Sequence, residues 1–423
     1  MTQRSPDKLL DEATTATTIT RYWDAIQLYT DILGQTDPHS GDDNVRQMRL
    51  NALQQRSRLL SQLGEQAAAL AGYEQCYLEA GSSESAVKAL VNIGRQCARL
   101  GQYNRGLEAL KEALVLAEAL NYTAGRADAL GATGVLLANL GQLEESLSYY
   151  NRSLPLYQQL HDKRGEMRGY NRIGVAHAQM GSIDKAIAAF QHCLKLARDL
   201  GEQDHAVYSL NNLGECYQML FDLPKALIYH QEGLAVAIST RLRYLEADTS
   251  RNLGAELVGL GRVEEGLTYL HRALDLARET GQPDVEWQAL YTLALTYIEH
   301  GPLDTGYDYA CQLRQLAQES NTKAAEAKAL HALGVYERGR GDMPAAEQLW
   351  QQALFLAHET SQRILIWQIH AGLAQITANP DLAIVHNRIA AEVINQIAFP
   401  IEDTTLRAGF LNATPIRAIL SAV

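Results

Sequence analysis

The sequence predicts an all-α fold in which helix–turn–helix hairpins stack side by side as an α-solenoid. Glycine pairs recur every 40 residues, the segments flanking the second glycine of each pair have a helical apolar period, and proline is scarce, at 10 of 423 residues. Self-similarity at a fixed period of this length is the signature of a repeat protein. We therefore expect about nine or ten stacked hairpins that share one continuous core.

The strict register starts at about residue 86 and covers seven repeats. Its paired positions are Gly94 and Gly101, Gly134 and Gly141, Gly174 and Gly181, Gly214 and Phe221, Gly254 and Gly261, Ala294 and Gly301, and Gly334 and Gly341. The second position predicts the turn, because glycine readily adopts the positive φ that ends many helices. A small residue follows five places later, and a large apolar residue usually follows four after that. His230 and Ala310 depart from this pattern.

The flanking segments are less regular. Residues 1–48 are interpreted as a degenerate first repeat and a loop, and residues 49–363 as the main array. Residues 364–397 are expected to form a shortened last repeat that turns at Asn379–Asp381. Because an array must cover its last apolar face, residues 398–423 are interpreted as a C-terminal capping helical segment, with one apolar-patterned helix over Thr404–Leu420.

The repeats resemble the tetratricopeptide repeat (TPR) family. One repeat reads Asn212-Leu213-Gly214-Glu215-Cys216-Tyr217, followed by Leu223-Pro224-Lys225-Ala226. The tryptophan of the family pattern is missing, and the period is longer than the family's 34 residues. Long repeats of this kind are similar to those of Pins-type spindle regulators, kinesin light chains and bacterial Rap-type or maltose-activator-like regulators. The resemblance implies a right-handed solenoid whose first helices line a concave groove that grips extended peptides.

A helical wheel at about 100° per residue separates an apolar face of each first helix from a polar face. In three consecutive repeats the polar face carries the candidate binding residues Arg168, Asn171, Arg172, Tyr208, Asn211, Asn212, Asp248, Arg251 and Asn252. Asparagine can pair with a peptide backbone, and arginine can hold a carboxylate through two parallel bonds. Two other interpretations stay open: a solvated face without a ligand, and contacts between neighbouring hairpins. Further along, Tyr291 and Leu295 are expected to take an apolar side chain.

Several kinds of chemistry are not supported by the sequence. The net charge of −12 argues against nucleic-acid binding, which needs a basic face. The sequence has no phosphate-binding loop, HExxH or GxSxG motif, and its 12 histidines are dispersed, so we expect no catalytic residue, cofactor or metal. Five widely spaced cysteines without a CxxC motif indicate reduced thiols in a cytoplasmic protein. No apolar run is long enough to span a bilayer, and the N-terminus lacks the apolar region of a secretory signal.

Two functions are compatible with these features. The first is a non-enzymatic scaffold that binds a peptide or partner protein in the concave groove. The alternative is a sensor or regulatory arm of a bacterial signalling system, acting on a partner ATPase, cyclase or transcription activator. The long repeats and the sequence of the C-terminal segment, which resemble those of bacterial regulators, favour this alternative. An enzyme built into the array has no supporting motif.

Overall fold

The computed structural model describes residues 5–18 and 21–423, and within them the chain forms 22 α-helices and no strands. This confirms the predicted all-α fold of stacked hairpins. Two short segments lie outside the described residues. They are Met1–Arg4, the start of the N-terminus that was expected to lack a secretory signal, and residues 19 and 20 of the predicted first repeat. No helix among the described residues has both the length and the apolar character that crossing a membrane requires.

The helices follow one another with short turns. The first eleven are α1 Pro6–Thr18, α2 Tyr22–Gln35, α3 Asp43–Gln62, α4 Gln66–Ala80, α5 Glu84–Arg99, α6 Tyr103–Ala119, α7 Thr123–Asn139, α8 Leu143–Gln159, α9 Lys163–Met180, α10 Ile183–Leu200 and α11 Gln203–Met219. The others are α12 Leu223–Ser239, α13 Arg243–Gly259, α14 Val263–Thr280, α15 Pro283–His300, α16 Leu303–Glu319, α17 Lys323–Arg340, α18 Met343–Glu359, α19 Arg363–Ile376, α20 Pro380–Ala398, α21 Thr404–Asn412 and α22 Thr414–Leu420.

The chain divides within α9 into two compact units, Met1–Ala176 and His177–Val423, here called the N-terminal and C-terminal units. In each unit, consecutive helices pack as hairpins, such as α5 with α6 and α13 with α14. The first helices of neighbouring hairpins also touch, as α5 does with α7 and α15 with α17. Each unit therefore has an inner face made of first helices, and the polar candidate residues lie on these helices.

Five hairpins of the strict register place a small residue of the first helix against a large residue of the second. A Cβ atom at Gly94 would lie 2.6 Å from Leu110 Cγ, and one at Gly134 would lie 2.5 Å from Tyr150 Cε1. The same relation joins Gly254 to Leu270 and Gly334 to Trp350. His230 departs from the apolar pattern but occupies the same place, with its ring over Gly214. This steric match sets how closely the two helices of a hairpin approach.

The predicted left-handed turn is present at most of the second glycine positions. Positive φ occurs at Gly101, Gly141, Gly181, Gly261 and Gly341, and also at Phe221, which replaces glycine. Gly301 is instead extended, with φ −133°. Pro302 follows it, and the residue before a proline is biased toward extended backbone.

A second series of left-handed residues ends the second helix of each hairpin, and the sequence analysis did not identify it. Its members are Asn121, His161, Gly201, Arg241, Gly281, Asn321 and Ser361. For a non-glycine residue, the left-handed backbone conformation costs roughly 1–2 kcal/mol of conformational free energy. Asparagine adopts this conformation more readily than most other non-glycine residues. Because only two of the seven are glycines, the glycine spacing alone did not show this turn.

The C-terminal segment is helical as expected, but it forms two helices rather than the one helix expected over Thr404–Leu420. Ala413 adopts an extended conformation between α21 and α22, and Pro415 lies in the first turn of α22. Proline cannot continue a preceding helix, because it lacks an N–H group and clashes with the turn before it. Both helices pack on α20, so the segment covers the last hairpin.

The same segment also contacts the beginning of the C-terminal unit. The Asp184 carboxylate accepts hydrogen bonds from the backbone N–H groups of Glu402 and Asp403, at 3.1 and 3.0 Å. Lys185 Nζ lies 2.7 Å from Glu402 Oε1. The Phe221 ring lies between two others, 6.2 Å from Phe410 and 6.3 Å from Trp367, measured between centroids. We call these contacts the C-terminal closure.

Replacing Phe221 with glycine tests whether this ring holds the C-terminal closure. Glycine removes the cost of positive φ but also removes the aromatic contacts with Phe410 and Trp367. We expect faster amide hydrogen exchange over residues 404–420 in Phe221→Gly. Arg241→Gly is the matched control, because Arg241 is exposed and has the same φ of 58°. Unchanged exchange in Phe221→Gly would contradict the assignment.

Candidate functional site

The inner face of the N-terminal unit forms a groove of about 700 Å³ lined by α3, α5 and α7. We call it the basic groove. Its cations are Arg58, Lys88, Arg95 and Arg99; its amides are Gln54, Gln55, Gln62, Asn92 and Gln96; its one carboxylate is Asp128. The groove therefore has an excess of positive charge although the whole chain is acidic.

Hydrogen bonds position these side chains but leave most of the positive charge unbalanced. Arg99 Nη1 and Gln96 Nε2 both donate to Ser61 Oγ, at 2.7 and 2.9 Å. Arg95 is paired with Asp128 at 3.3 Å. The other cations have neutral partners among the described residues: Arg58 donates to Gln55, and the Lys88 ammonium lies 5.7 Å from the centre of the Tyr122 ring.

Three of the predicted residues, Arg168, Asn171 and Arg172, lie on α9 in the same unit and are half-buried. Arg172 packs against Gly131 of α7, where a Cβ atom would lie 2.7 Å from its Nη1. Burial lowers the pKa of Arg172, and the nearby Arg95 and Arg168 lower it further. The two predicted arginines therefore extend the positive potential of the N-terminal unit.

The other six predicted residues lie on α11 and α13 in the C-terminal unit, and half of them are buried. Asn211 is 4% exposed, Arg251 is 7% exposed and Asn252 is fully buried. Tyr208 is 43% exposed, and Asn212 and Asp248 are half-buried. The structure thus brings these six residues together, but it gives them unequal access to a partner.

The buried members join neighbouring hairpins. Asn211 Oδ1 accepts a hydrogen bond from Thr249 at 2.9 Å. Arg251 donates to Asp248 at 2.9 Å and to Glu215 at 3.4 Å. Asn252 Nδ2 donates to the same Glu215 oxygen at 3.3 Å. The Arg251–Asp248 bond lies within α13, whereas the other bonds connect α11 to α13. These connecting bonds support, for the buried residues, the interpretation as contacts between hairpins.

A buried His230–Glu256 pair lies next to this cluster and was not predicted. Both side chains are fully buried, and His230 Nδ1 is 2.7 Å from Glu256 Oε1. His230 Nε2 is 3.2 Å from the carbonyl oxygen of Asn211. Burial raises the pKa of Glu256, although His230 opposes this shift. The sequence does contain a signal for this pair. His230 replaces the large apolar residue expected at that position of its repeat, and the next repeat has a carboxyl group at Glu256.

The inner face of the C-terminal unit encloses a cavity of about 540 Å³. We call it the apolar cavity. Tyr291 and Leu295, which were expected to take an apolar side chain, lie in its wall. The single lysine of the lining is Lys328, and Ile397 and Ile401 close one side next to the C-terminal closure.

One group of the described residues places three possible metal-ligand atoms within 4.8 Å of one another: Glu202, Asp204 and His205. It lies at the start of α11, where acidic residues are favoured by the helix dipole. His205 Nδ1 is already 3.0 Å from Asp204 Oδ1. We therefore assign no metal to this group.

Comparisons with known proteins agree with the fold. Residues 85–159 and 166–239 match the family model of the tetratricopeptide repeat. No curated protein has significant sequence similarity to the chain. A Signal Transduction ATPase with Numerous Domains (STAND) protein with a tetratricopeptide repeat sensor, from Pyrococcus horikoshii, superposes with a TM-score of 0.64 at 15% identity. The match covers 86% of this chain and 55% of that protein, so this chain spans about half its length.

Two further structures are similar over nearly their whole length. The apo form of the quorum sensor NprR from B. thuringiensis has a TM-score of 0.60 at 16% identity, covering 83% of this chain and 98% of that one. A Rap protein complexed with Competence and Sporulation Factor has a TM-score of 0.55 at 14% identity, covering 84% and 98%. Likeness at these identities establishes a shared fold and no more.

Alanine substitutions separate structural from exposed asparagines. Asn211→Ala and Asn252→Ala remove hydrogen bonds that join α11 to α13, so each is expected to lower the free energy of unfolding by roughly 0.5–1.5 kcal/mol. Asn92→Ala, on a half-buried asparagine of the basic groove, is expected to cost under about 0.5 kcal/mol. Urea denaturation followed by circular dichroism measures the difference. An equal cost at all three positions would contradict the assignment.

Proposed function

Because this chain is a tetratricopeptide repeat array, we propose that it is a non-enzymatic interaction scaffold that binds an extended acidic segment of a peptide or partner protein. The carrying observation is the basic groove, where four cations face one carboxylate in a chain of net charge −12. Complementary charge steers a partner to such a surface and orients it there. The five amides of the groove supply donors and acceptors for the partner's backbone.

The accessible members of the predicted site belong to this proposal, each within its own unit. In the N-terminal unit, Arg168, Asn171 and Arg172 would add contacts beyond the basic groove. In the C-terminal unit, Tyr208, Asn212 and Asp248 have accessible surface on the inner face. Asn211, Arg251 and Asn252 would then shape the surface through the hydrogen bonds that join α11 to α13.

A second candidate function is a sensor or regulatory arm of a bacterial signalling system. The likeness to a STAND protein that carries a tetratricopeptide repeat sensor supports it, as does the likeness to a quorum sensor. In this proposal the chain acts on a partner ATPase, cyclase or transcription activator. Ligand-dependent association with a partner encoded beside it would favour the sensor function, and ligand-independent association would favour the scaffold. Both proposals include a cytoplasmic location and no nucleic-acid partner.

Charge reversal in the basic groove tests the scaffold proposal. The probe is a labelled eight-residue peptide that alternates glutamate and leucine, with a lysine–leucine peptide for comparison. We expect the acidic peptide to bind more tightly, to weaken as salt is added, and to lose about tenfold in affinity in Lys88→Glu, equivalent to about 1.4 kcal/mol. Fluorescence anisotropy measures both peptides.

The control is Lys111→Glu, which makes the same change of charge on the exposed surface of α6, outside the groove. It is expected to change the affinity less than twofold. An equal loss in the two variants would show that overall charge, rather than the groove, determines binding, and would overturn the proposal.

A further inference from the structure

The apolar cavity combines a mainly hydrocarbon lining with two cations, Lys328 and Arg363. Its walls come from the ends of α9 and α11, the start of α10, parts of α15, α17 and α19, and Ile397 and Ile401 next to the C-terminal closure. The apolar part of the lining includes Ile183, Met219, Leu220, Leu295, Ile364, Leu365, Ile397 and Ile401. Among the residues that the structure describes, no aspartate or glutamate lines the cavity.

Lys328 lies against two aromatic rings at the wall of this cavity. Its Nζ atom is 4.9 Å from the centre of the Trp287 ring and 4.9 Å from the centre of the Tyr291 ring. The faces of aromatic rings attract cations, so these two rings stabilise the ammonium group. Among the described residues Lys328 forms no ion pair with a carboxylate.

The charges around Lys328 are not compensated by acids of the lining. Burial, together with the nearby Arg251, lowers the pKa of Lys328 to about 8. His331 lies behind Tyr291, with its Nδ1 3.0 Å from the Tyr291 hydroxyl oxygen. Burial lowers the pKa of His331 to about 3, so this imidazole is neutral at pH 7. Lys328 lines the cavity, and burial desolvates its ammonium group.

We propose that the apolar cavity is a binding site for a carboxylate carried on an apolar body, with Lys328 as its ion-pair partner. An anionic group such as a carboxylate suits this end of the cavity, because Lys328 is a cation held against two aromatic rings and no acid competes for it in the described lining. The hydrocarbon walls fit an apolar body. A charge-assisted hydrogen bond between the two groups is stronger in such surroundings than at an exposed surface. The site belongs to the C-terminal unit, and the inference stands independently of peptide binding in the basic groove.

The size of the cavity limits the ligand. A cavity of about 150 Å³ holds one benzene molecule, so this one accommodates roughly three times as much hydrocarbon. Two sources of the same chemistry meet this limit: a free medium-chain carboxylic acid, and the C-terminal carboxylate of a short apolar peptide.

The experiment measures the binding of both sources to the 423-residue chain by isothermal titration calorimetry. Decanoate is compared with the uncharged 1-decanol, and N-acetyl-trileucine is compared with its C-terminal amide. We expect at least one of the two acids to bind at least tenfold more tightly than its uncharged counterpart. The acid that binds identifies the source. Failure of both acids to bind, or equal binding of the acids and the uncharged compounds, would overturn the proposal.

Substitutions then assign the binding to Lys328. Lys328→Met keeps much of the side chain and removes the charge, and is expected to weaken binding of the acid at least tenfold. Lys328→Arg keeps the charge and is expected to retain binding within a few-fold. Lys323→Met, the same substitution at an exposed lysine of α17, is the control and should leave binding unchanged. Melting curves confirm that each variant folds, and unchanged binding in a folded Lys328→Met would overturn the proposal.

The pH dependence gives an independent readout. The free protein loses the Lys328 proton as the pH rises through about 8, whereas the ligand's carboxylate stays ionised. Affinity is therefore expected to be constant below pH 7 and to fall by up to about tenfold per pH unit above 8. Of the neighbouring groups, Tyr291 and His331 stay neutral across this range, and the other cations nearby are Arg251 and Arg363. An affinity that does not change up to pH 9.5 would contradict the role of Lys328.

Discussion

The close approach of the two helices within each hairpin is the constraint on which the other features depend. A small residue on the first helix receives a large residue from the second, as Gly94 receives Leu110 and Gly334 receives Trp350. Since this contact recurs every 40 residues, the first helices of neighbouring hairpins within a unit come into register. Their exposed sides then form an inner face in each unit, which carries the basic groove in the N-terminal unit and the apolar cavity in the C-terminal unit.

One register position supplies much of the chemistry of the inner face. In the N-terminal unit it holds Lys88, Asp128 and Arg168, and in the C-terminal unit it holds Tyr208, Asp248, Gln288, Lys328 and Gln368. Asp128 accepts a hydrogen bond from Tyr157 of the second helix of its hairpin, at 2.9 Å, but the residue type at this position varies while the fold stays the same. The position changes from mostly charged to mixed along the array. Different parts of the same repeat array are therefore suited to different ligands.

The helices and most turns could be predicted because they depend on residues close together in the sequence. The glycine spacing located the first turn of each hairpin, and Gly301 departs from it for the local reason that Pro302 follows. The burial of Asn211 and Asn252 could not be predicted, since their partners lie on neighbouring hairpins, as Asp248 and Glu215 do. Nor could the C-terminal closure, where Lys185 and Glu402 meet across 217 residues. In both cases the contact depends on how hairpins stack, which no period within one repeat specifies.

The two inner-face sites use positive charge in physically different ways. The cations of the basic groove are partly hydrated and act together, so each contributes little by itself and salt weakens their combined attraction. Lys328 is desolvated by its surroundings, so a single anionic partner gains more there and salt screens the pair less. The net charge of −12 reflects neither site, because the lining of each has more cations than carboxylates. The charge of the residues that line each site, rather than the net charge of the chain, therefore indicates which kind of ligand the site can bind.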